Sequence, residues 1–306
     1  MSKHWFVVDW SCCLGAGGEG EVYLGRSITT GELCAVKVST SIHPAEASRQ
    51  LGDELDRCRR AAGGGSVGLI AWNLEPPRPF LVFELAQAGT LADEVRQLRD
   101  EGRVYHPVSA LERVAEILTS LAKVHGRGVV HRDVKPANLL RFGESFKLTD
   151  FGTACSAEPA TGRSEPKPKP QPERGSADAA LTELLGASEL AAPEEFIGTR
   201  LYAAPEQLRG DPADQRADLY AVGCILYEML TGRPPSSAAR SRARRRYPNA
   251  LVLPAVDDLL DRLLAVDPEL RPANATEALD ELERALLAYD DARAAWQRLA
   301  LGPSPY

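Results

Sequence analysis

Strand-like and helical segments are segregated along this chain, and that order limits its fold more than any other feature. Short β-rich runs come first, at Phe6 to Val8, Val22 to Leu24 and Leu33 to Val38, separated by glycine-rich turns. One helical pattern interrupts them, opened by Pro44 and closed after Ala62 by Gly63-Gly64-Gly65. Strand patterns return at Val67 to Trp72 and Phe80 to Phe83. From Thr90 onward apolar residues recur at helical spacing, in Leu91 to Leu98, Val108 to His125 and the long amphipathic stretch Thr276 to Leu299. Strands first and helices after predict an α+β protein of two lobes. The smaller, β-rich amino-terminal lobe spans 1–84 and holds one main helix. The join falls at 84–89, and a larger α-helical lobe spans 90–306.

Composition sets the outer limits. A chain of 306 residues with 44% apolar and 26% charged residues is expected to be soluble and globular, with a sizeable core. A net charge of −7 argues against a nucleic-acid partner. The amino terminus has no basic region followed by a long apolar run, so no secretory signal is expected. The longest apolar stretch, Leu219 to Leu230, carries Glu228 and is too short to span a bilayer, which predicts a cytoplasmic protein without a membrane partner. The six cysteines, Cys12, Cys13, Cys34, Cys58, Cys155 and Cys224, form no CxxC pair and are read as buried, reduced thiols, the alternative being a redox-sensing thiol with Cys155 as its candidate. Composition shifts at 157–177, where Ser164 to Pro172 alternates proline with lysine and has too few apolar side chains to offset its ordering entropy. Disorder is expected there, and a short helix over Ala179 to Ala191.

Four segments carry chemistry. Gly15-Ala16-Gly17-Gly18-Glu19-Gly20-Glu21-Val22 lies between two strand patterns, where glycines let backbone amides come close to phosphates. Lys37, in Ala35-Val36-Lys37, sits inside an apolar strand, where a cation is costly unless paired. His131-Arg132-Asp133-Val134-Lys135-Pro136-Ala137-Asn138 places an acid, a cation and an amide in one tight loop. Thr149-Asp150-Phe151-Gly152 adds a second acid about a dozen residues on. Phosphoryl transfer needs this set: one carboxylate for the attacking hydroxyl, a second and an amide for metal, and a lysine to offset charge on the moving group.

The series resembles the eukaryotic-like, bacterial-type serine/threonine protein kinases over roughly residues 8–288. That resemblance implies transfer of the γ-phosphate of ATP to serine or threonine of a protein, with Mg2+ or Mn2+ as cofactor. It implies that Asp133 orients the acceptor hydroxyl, Lys135 stabilises the γ-phosphate, and Asn138 and Asp150 hold metal. Lys37 would pair with Glu54, preferred over the nearby Asp53 and Glu46. Leu14, Gly15, Gly17, Gly20, Val22, Ala35, Lys37 and Leu140 would line the nucleotide site. Phe83 would guard its back, while the Glu84 carbonyl and the Ala86 amide bond the base. Gly198 to Glu206 resembles the substrate-docking loop, in which Thr199 would bond Asp133 and Lys135. Glu206, Asp218 and Arg271 would have structural roles, Arg271 as the buried partner of Glu206. A pseudokinase scaffold and a small-molecule kinase are the rival readings. The intact Lys37, Asp133 and Asp150 argue against the first, and Lys135 with the Gly198 to Glu206 series against the second.

The chain departs from the family pattern at several points. Glu19 stands at the tip of the glycine-rich loop, where the family usually has an apolar residue. The segment from Asp150 to Glu206 is long because of the Pro/Lys insert. Glu195 occupies the position where the resemblance places an activating threonine, so it is expected either to pair with Arg132 in place of a phosphate, as a weaker clamp, or to be, with Glu194, a solvated loop acid. Thr161, Ser164, Ser176, Thr182 and Ser188 are candidate autophosphorylation sites. The run Arg240 to Arg246 is a candidate dock for an acidic partner or substrate, or else a solvated loop.

Overall fold

The computed structural model describes residues 5–17, 20–156, 200–235, 247–248 and 251–301, with side chains in the last stretch described as far as residue 294. The chain divides into two compact units, one of residues 1–93 with 120–156 and one of residues 94–119 with 157–306.

The first unit is built on a five-stranded antiparallel sheet. Its strands are β1 (Phe6–Gly17), β2 (Gly20–Ser27), β3 (Leu33–Val38), β4 (Leu69–Asn73) and β5 (Phe80–Glu84), in the spatial order β1-β2-β3-β5-β4. Residues directly opposite one another share a face of a pleated sheet. Val22 lies opposite Lys37, Leu24 opposite Ala35, and Ala35 opposite Phe83. One face therefore carries Val22, Ala35, Lys37 and Phe83. The other carries Cys34, Val36 and Val82, a buried apolar cluster with Phe6, Val8, Val38, Ala71 and Phe80 packed against it. Helix α1 (Pro44–Ala61) starts on a proline, whose missing N–H is not needed in a first turn. It buries Ala47, Leu51, Glu54, Leu55, Cys58 and Ala61, one stripe at helical spacing. The carboxylate of Glu54 is the exception in that stripe.

Four short strands follow in this unit: β6 (Val129–Val130), β7 (Leu139–Phe142), β8 (Ser145–Leu148) and β9 (Cys155–Ser156). β7 and β8 form a hairpin, and β6 pairs with β9 around it. Segments 131–138 and 149–154 are thus each tethered at both ends by paired strands. This nesting brings the two motif loops side by side.

The described elements of the second unit are helical. They are the greater parts of α2 (Leu91–Asp100) and α3 (Pro107–His125), then α4 (Pro205–Arg209), α5 (Gln215–Thr231), α6 (Pro254–Leu263) and α7 (Ala275–Leu301). Asp214 caps α5 by accepting the Arg216 N–H at 2.8 Å, and Gly232 ends it in the left-handed region at φ 77°. Every residue from Ala217 to Leu230 is buried, which makes α5 a core helix. Gly223 is needed there, because an added Cβ would stand 2.8 Å from the Leu263 Cβ. No described helix is long and apolar enough to cross a membrane.

Within this core the Tyr202 hydroxyl donates to Glu228 Oε2 at 2.5 Å. Burial pushes the Glu228 carboxyl above the usual carboxylate range, and the bond from Tyr202 returns only part of that shift. A raised folded value means that the native state binds the proton more tightly. The Glu228 contribution is therefore intact below the unfolded carboxylate range and lost as pH rises through the raised value. Glu228→Gln is expected to gain stability relative to the parent as pH rises above the ordinary carboxylate range, read by urea unfolding. Tyr202→Phe, which leaves the buried carboxylate without its donor, is expected to lose about 1–3 kcal/mol at neutral pH.

The sequence-derived elements recur with ends shifted by one to three residues. The exception is β1, read as Phe6 to Val8 but running to Gly17. Asp9 pairs with Leu24 and Cys13 with Tyr23, so Trp10, Ser11 and Cys12 are extra residues in a bulge. Asp9 Oδ1 closes the bulge by accepting from the Ser11 N–H and hydroxyl at 3.0 and 2.6 Å. The cysteine reading needs correction. None of the six forms a disulfide, and only Cys34, Cys58 and Cys224 are buried. Cys13 is exposed, Cys12 lies half-buried in the bulge, and Cys155 is half-buried on β9. Burial pushes the Cys58 thiol up to about 12, with the nearby Glu54 charge adding to it, which makes that thiol unreactive. The expected insert disorder and the helix over Ala179 to Ala191 lie outside the described residues.

Candidate active site

Lys37 and Glu54 meet inside the first unit. Lys37 stands on the same sheet face as Val22, and Glu54 is the charged member of the buried α1 stripe. Lys37 Nζ donates to Glu54 Oε1 at 2.7 Å and to Asp150 Oδ1 at 2.9 Å. Both Lys37 and Glu54 are over nine-tenths buried. Burial opposes charge on Lys37, but Glu54 and Asp150 together outweigh it and hold the ammonium above the ordinary lysine range. Burial also raises the Glu54 carboxyl, and Lys37 offsets only part of that. On Asp150 burial again pushes upward, but Lys37, with help from Lys135, brings the carboxyl below its usual range. One cation thus serves two acids, of which Asp150 is the more firmly ionised.

The loop at 131–138 is held by its own polar groups. Fully buried His131 donates from Nε2 to the Thr149 carbonyl at 2.9 Å, the tautomer required because Nδ1 accepts the Asp133 N–H. Its ring packs 4.8 Å from that of Phe151. Lys135 Nζ and Asn138 Nδ2 both reach Asp133 Oδ2, at 2.8 and 3.0 Å. Asn138 Nδ2 also donates to the Asp133 carbonyl at 2.9 Å. Asp133 Oδ1 has no partner among the described residues. Among the described residues, Arg132 and Asp150 are the non-glycine residues in the left-handed region, at φ 67° and 64°. Each such residue costs roughly 1–2 kcal/mol, so the surrounding bonds must hold it there.

The remaining sequence-predicted positions spread around this centre. Gly20 has no room for a side chain, since a Cβ would meet the Val38 carbonyl oxygen at 2.5 Å. Gly15 and Gly17 face open space, which fits a loop whose backbone approaches a ligand. Leu14 is exposed on β1, and Leu140 is half-buried on β7. At the end of β5, Glu84 Oε1 accepts from Lys147 Nζ at 2.5 Å and from the Gly68 N–H at 2.6 Å. Two residues on, the half-buried Ala86 N–H has no partner among the described residues. Gly18, Glu19, Glu195, Thr199, the insert hydroxyls and Arg240 to Arg246 lie outside the described residues.

Two side chains at this centre escaped the sequence reading. Lys147, on β8, fixes the Glu84 side chain and also lies 4.2 Å over the Phe142 ring. Its alternation with the buried Phe146 and Leu148 marks it as the exposed member of a strand, with no sign of a partner 63 residues away. Arg57, on α1, donates to two main-chain carbonyls beyond Asp150. Only its spacing of three from Glu54, which puts both on neighbouring turns of one face, could have suggested it. In the second unit Glu206 and Arg271 form the predicted pair, with bonds of 2.6 and 2.9 Å.

The family model for the protein kinase domain matches residues 11–282. The chain is 32% identical over 292 residues to serine/threonine-protein kinase Pkn1 of Myxococcus xanthus, an alignment that covers 89% of this chain and 37% of that protein. It is 33% identical over 230 residues to serine/threonine-protein kinase PknB of Mycobacterium leprae, covering 72% and 32%. It is 29% identical over 285 residues to 3-phosphoinositide-dependent protein kinase 1 of Arabidopsis thaliana, covering 88% and 52%. The chain thus spans from about a third to half the length of these relatives. With its amino-terminal antiparallel sheet, its helical remainder and that match over most of its length, the chain belongs to the protein kinase family and has its two-lobed fold.

Proposed function

We propose that this chain is a serine/threonine protein kinase, which moves the γ-phosphoryl group of ATP onto hydroxyls of a protein substrate. The observation that carries this reading is the joining of two clusters, Lys37–Glu54–Asp150 and Asp133–Lys135–Asn138, on loops held together by the paired strands β6 and β9. A scaffold protein has no need of a buried lysine shared by two acids.

The donor set fits a divalent cation such as Mg2+ or Mn2+. Asn138 spends its amide nitrogen on Asp133, which leaves Oδ1 as a ligand. Asp150 gives Oδ1 to Lys37 and keeps Oδ2. Asn138 and Asp150 would hold such an ion, which would supply positive charge to offset that of the phosphates. Lys37 has three donors and spends two on carboxylates, so one remains for a phosphate oxygen. The acceptor hydroxyl oxygen attacks the γ-phosphorus in line, the bond to the β–γ bridging oxygen breaks, and ADP leaves. Asp133 Oδ1 takes the hydroxyl proton, while Lys135 holds Oδ2 and offsets charge on the moving group. The Ala86 N–H is the donor for the adenine edge, beside the Glu84 carbonyl.

In the same reading, the lobes are 1–84 and 90–306 about a hinge at 84–89. Arg132 pairs with Glu195, the insert hydroxyls accept phosphate in cis or trans, and Arg240 to Arg246 draws acidic partners. Incubation with radiolabelled ATP, magnesium and a generic basic acceptor protein is expected to label serine and threonine. Phosphoamino-acid analysis checks this. Unlabelled protein that nevertheless binds ATP in a thermal-shift assay would turn the reading toward a nucleotide-binding scaffold.

A further inference from the structure

Arg57 bonds main chain rather than an acid. Among the described residues it forms no ion pair, although Asp53, Glu54 and Asp56 are its neighbours in α1. Its guanidinium instead reaches two neutral main-chain oxygens, with Nη1 at 2.5 Å from the Gly152 carbonyl and 3.4 Å from that of Phe151. These two carbonyls directly follow Asp150. The Phe151 carbonyl also accepts the Ala154 N–H at 3.1 Å, so Arg57 closes a tight turn from outside. The residue just before that turn carries a cost, because Asp150 is in the left-handed region at φ 64°. Lys37 pins the Asp150 side chain on one side. Arg57 pins the backbone just beyond it on the other.

The contacts close a ring. Lys37 holds Asp150 and Glu54; Glu54 and Arg57 lie three residues apart on α1; Arg57 holds the turn that directly follows Asp150. The link from Glu54 to Arg57 is rigid helix, so displacement of α1 would pull on both the lysine pair and the metal-binding acid. We infer that Arg57 is a positioning residue that fixes Asp150 for metal-dependent nucleotide binding and couples it to α1. This rests on the proposed assignment of Asp150 as a metal ligand.

The test uses a fluorescent ADP analogue and the whole chain, titrated with and without Mg2+. The parent protein is expected to bind the analogue more tightly with Mg2+, and Asp150→Asn to lose that gain. In Arg57→Leu the gain is expected to fall roughly tenfold, equivalent to about 1.4 kcal/mol. Binding without Mg2+ should stay at the parent value, since no base or sugar contact is removed. In the transfer assay the Mg2+ concentration for half-maximal rate should rise. Should Arg57→Leu fail to fold, Arg57→Lys keeps the stem and charge but offers one donor centre in place of the fork, and a partial loss of the gain is expected. A folded variant with the full parental gain overturns the role given to Arg57 and leaves the metal site standing. A parent protein without any Mg2+-dependent gain overturns the metal-site assignment, and the role of Arg57 with it.

Discussion

Asp133→Asn is expected to lower phosphoryl transfer by roughly 10²–10⁴-fold, the usual weight of a positioned base, while leaving nucleotide binding and thermal stability near the parent values. The substitution keeps the shape of the side chain and changes what it offers. Asp133 Oδ2 accepts from Lys135 Nζ and Asn138 Nδ2, both donors. An asparagine would turn its oxygen toward those two donors and its NH2 outward, because the reverse orientation sets donor against donor. The free atom, now an oxygen that can take the hydroxyl proton, becomes an N–H that cannot. Lys135 also loses its ion-pair partner and is freer to swing. A radiolabelled transfer assay reads the loss, and titration with an ADP analogue checks that the site is intact. A variant retaining more than a tenth of the parental rate would remove Asp133 from the role proposed for it.

The loops of this site were legible in the sequence because their chemistry is local. Asp133, Lys135 and Asn138 fall within six residues, so their mutual contacts follow from one tight turn. Lys37 was legible for another reason: a lysine within an apolar strand demands a partner, and the chain supplies a carboxylate on the buried stripe of α1. Glu54 rather than Asp53 is that partner, because Glu54 shares its stripe with Leu51, Leu55 and Cys58.

What stayed hidden involves backbone geometry or main-chain acceptors. Nothing in Asp9-Trp10-Ser11-Cys12-Cys13 announces three extra residues on β1, since the bulge is fixed by pairing with β2 and not by local propensity. Arg57 reads as an ordinary surface charge because its acceptors are carbonyls, which every residue has. Lys147 reads as the polar member of an alternating strand, and its partner is set by the path of β5. Helices α2 and α3 each contribute to both units, which composition and periodicity cannot reveal.

Arg271→Leu should be the most destabilising substitution in the second unit, at roughly 3–5 kcal/mol, because it leaves Glu206 buried without its cation. Arg271 is 2% exposed and Glu206 3%, so solvent cannot replace either partner. Two parallel bonds join them, from Nη1 to Oε1 and from Nη2 to Oε2. The guanidinium does more than neutralise the acid. It donates from Nε to the Ala265 carbonyl at 2.8 Å and from Nη1 to the Arg216 carbonyl at 3.0 Å, and it lies 4.8 Å over the Tyr220 ring. Arg271→Lys retains the charge but not the fork, so it should recover only part of the loss. The double variant Glu206→Met with Arg271→Leu separates the contributions. If the unpaired carboxylate dominates, removing it should restore most of the stability, as replacement of a whole buried pair often does. If the carbonyls of Ala265 and Arg216 matter equally, the double variant should stay well below the parent, since each loses its donor. The number of bonds to main chain favours the second outcome, with about half the loss recovered in urea unfolding. A single variant costing under about 1 kcal/mol would mean that the pair is a surface-like contact, at odds with its burial and its five hydrogen bonds.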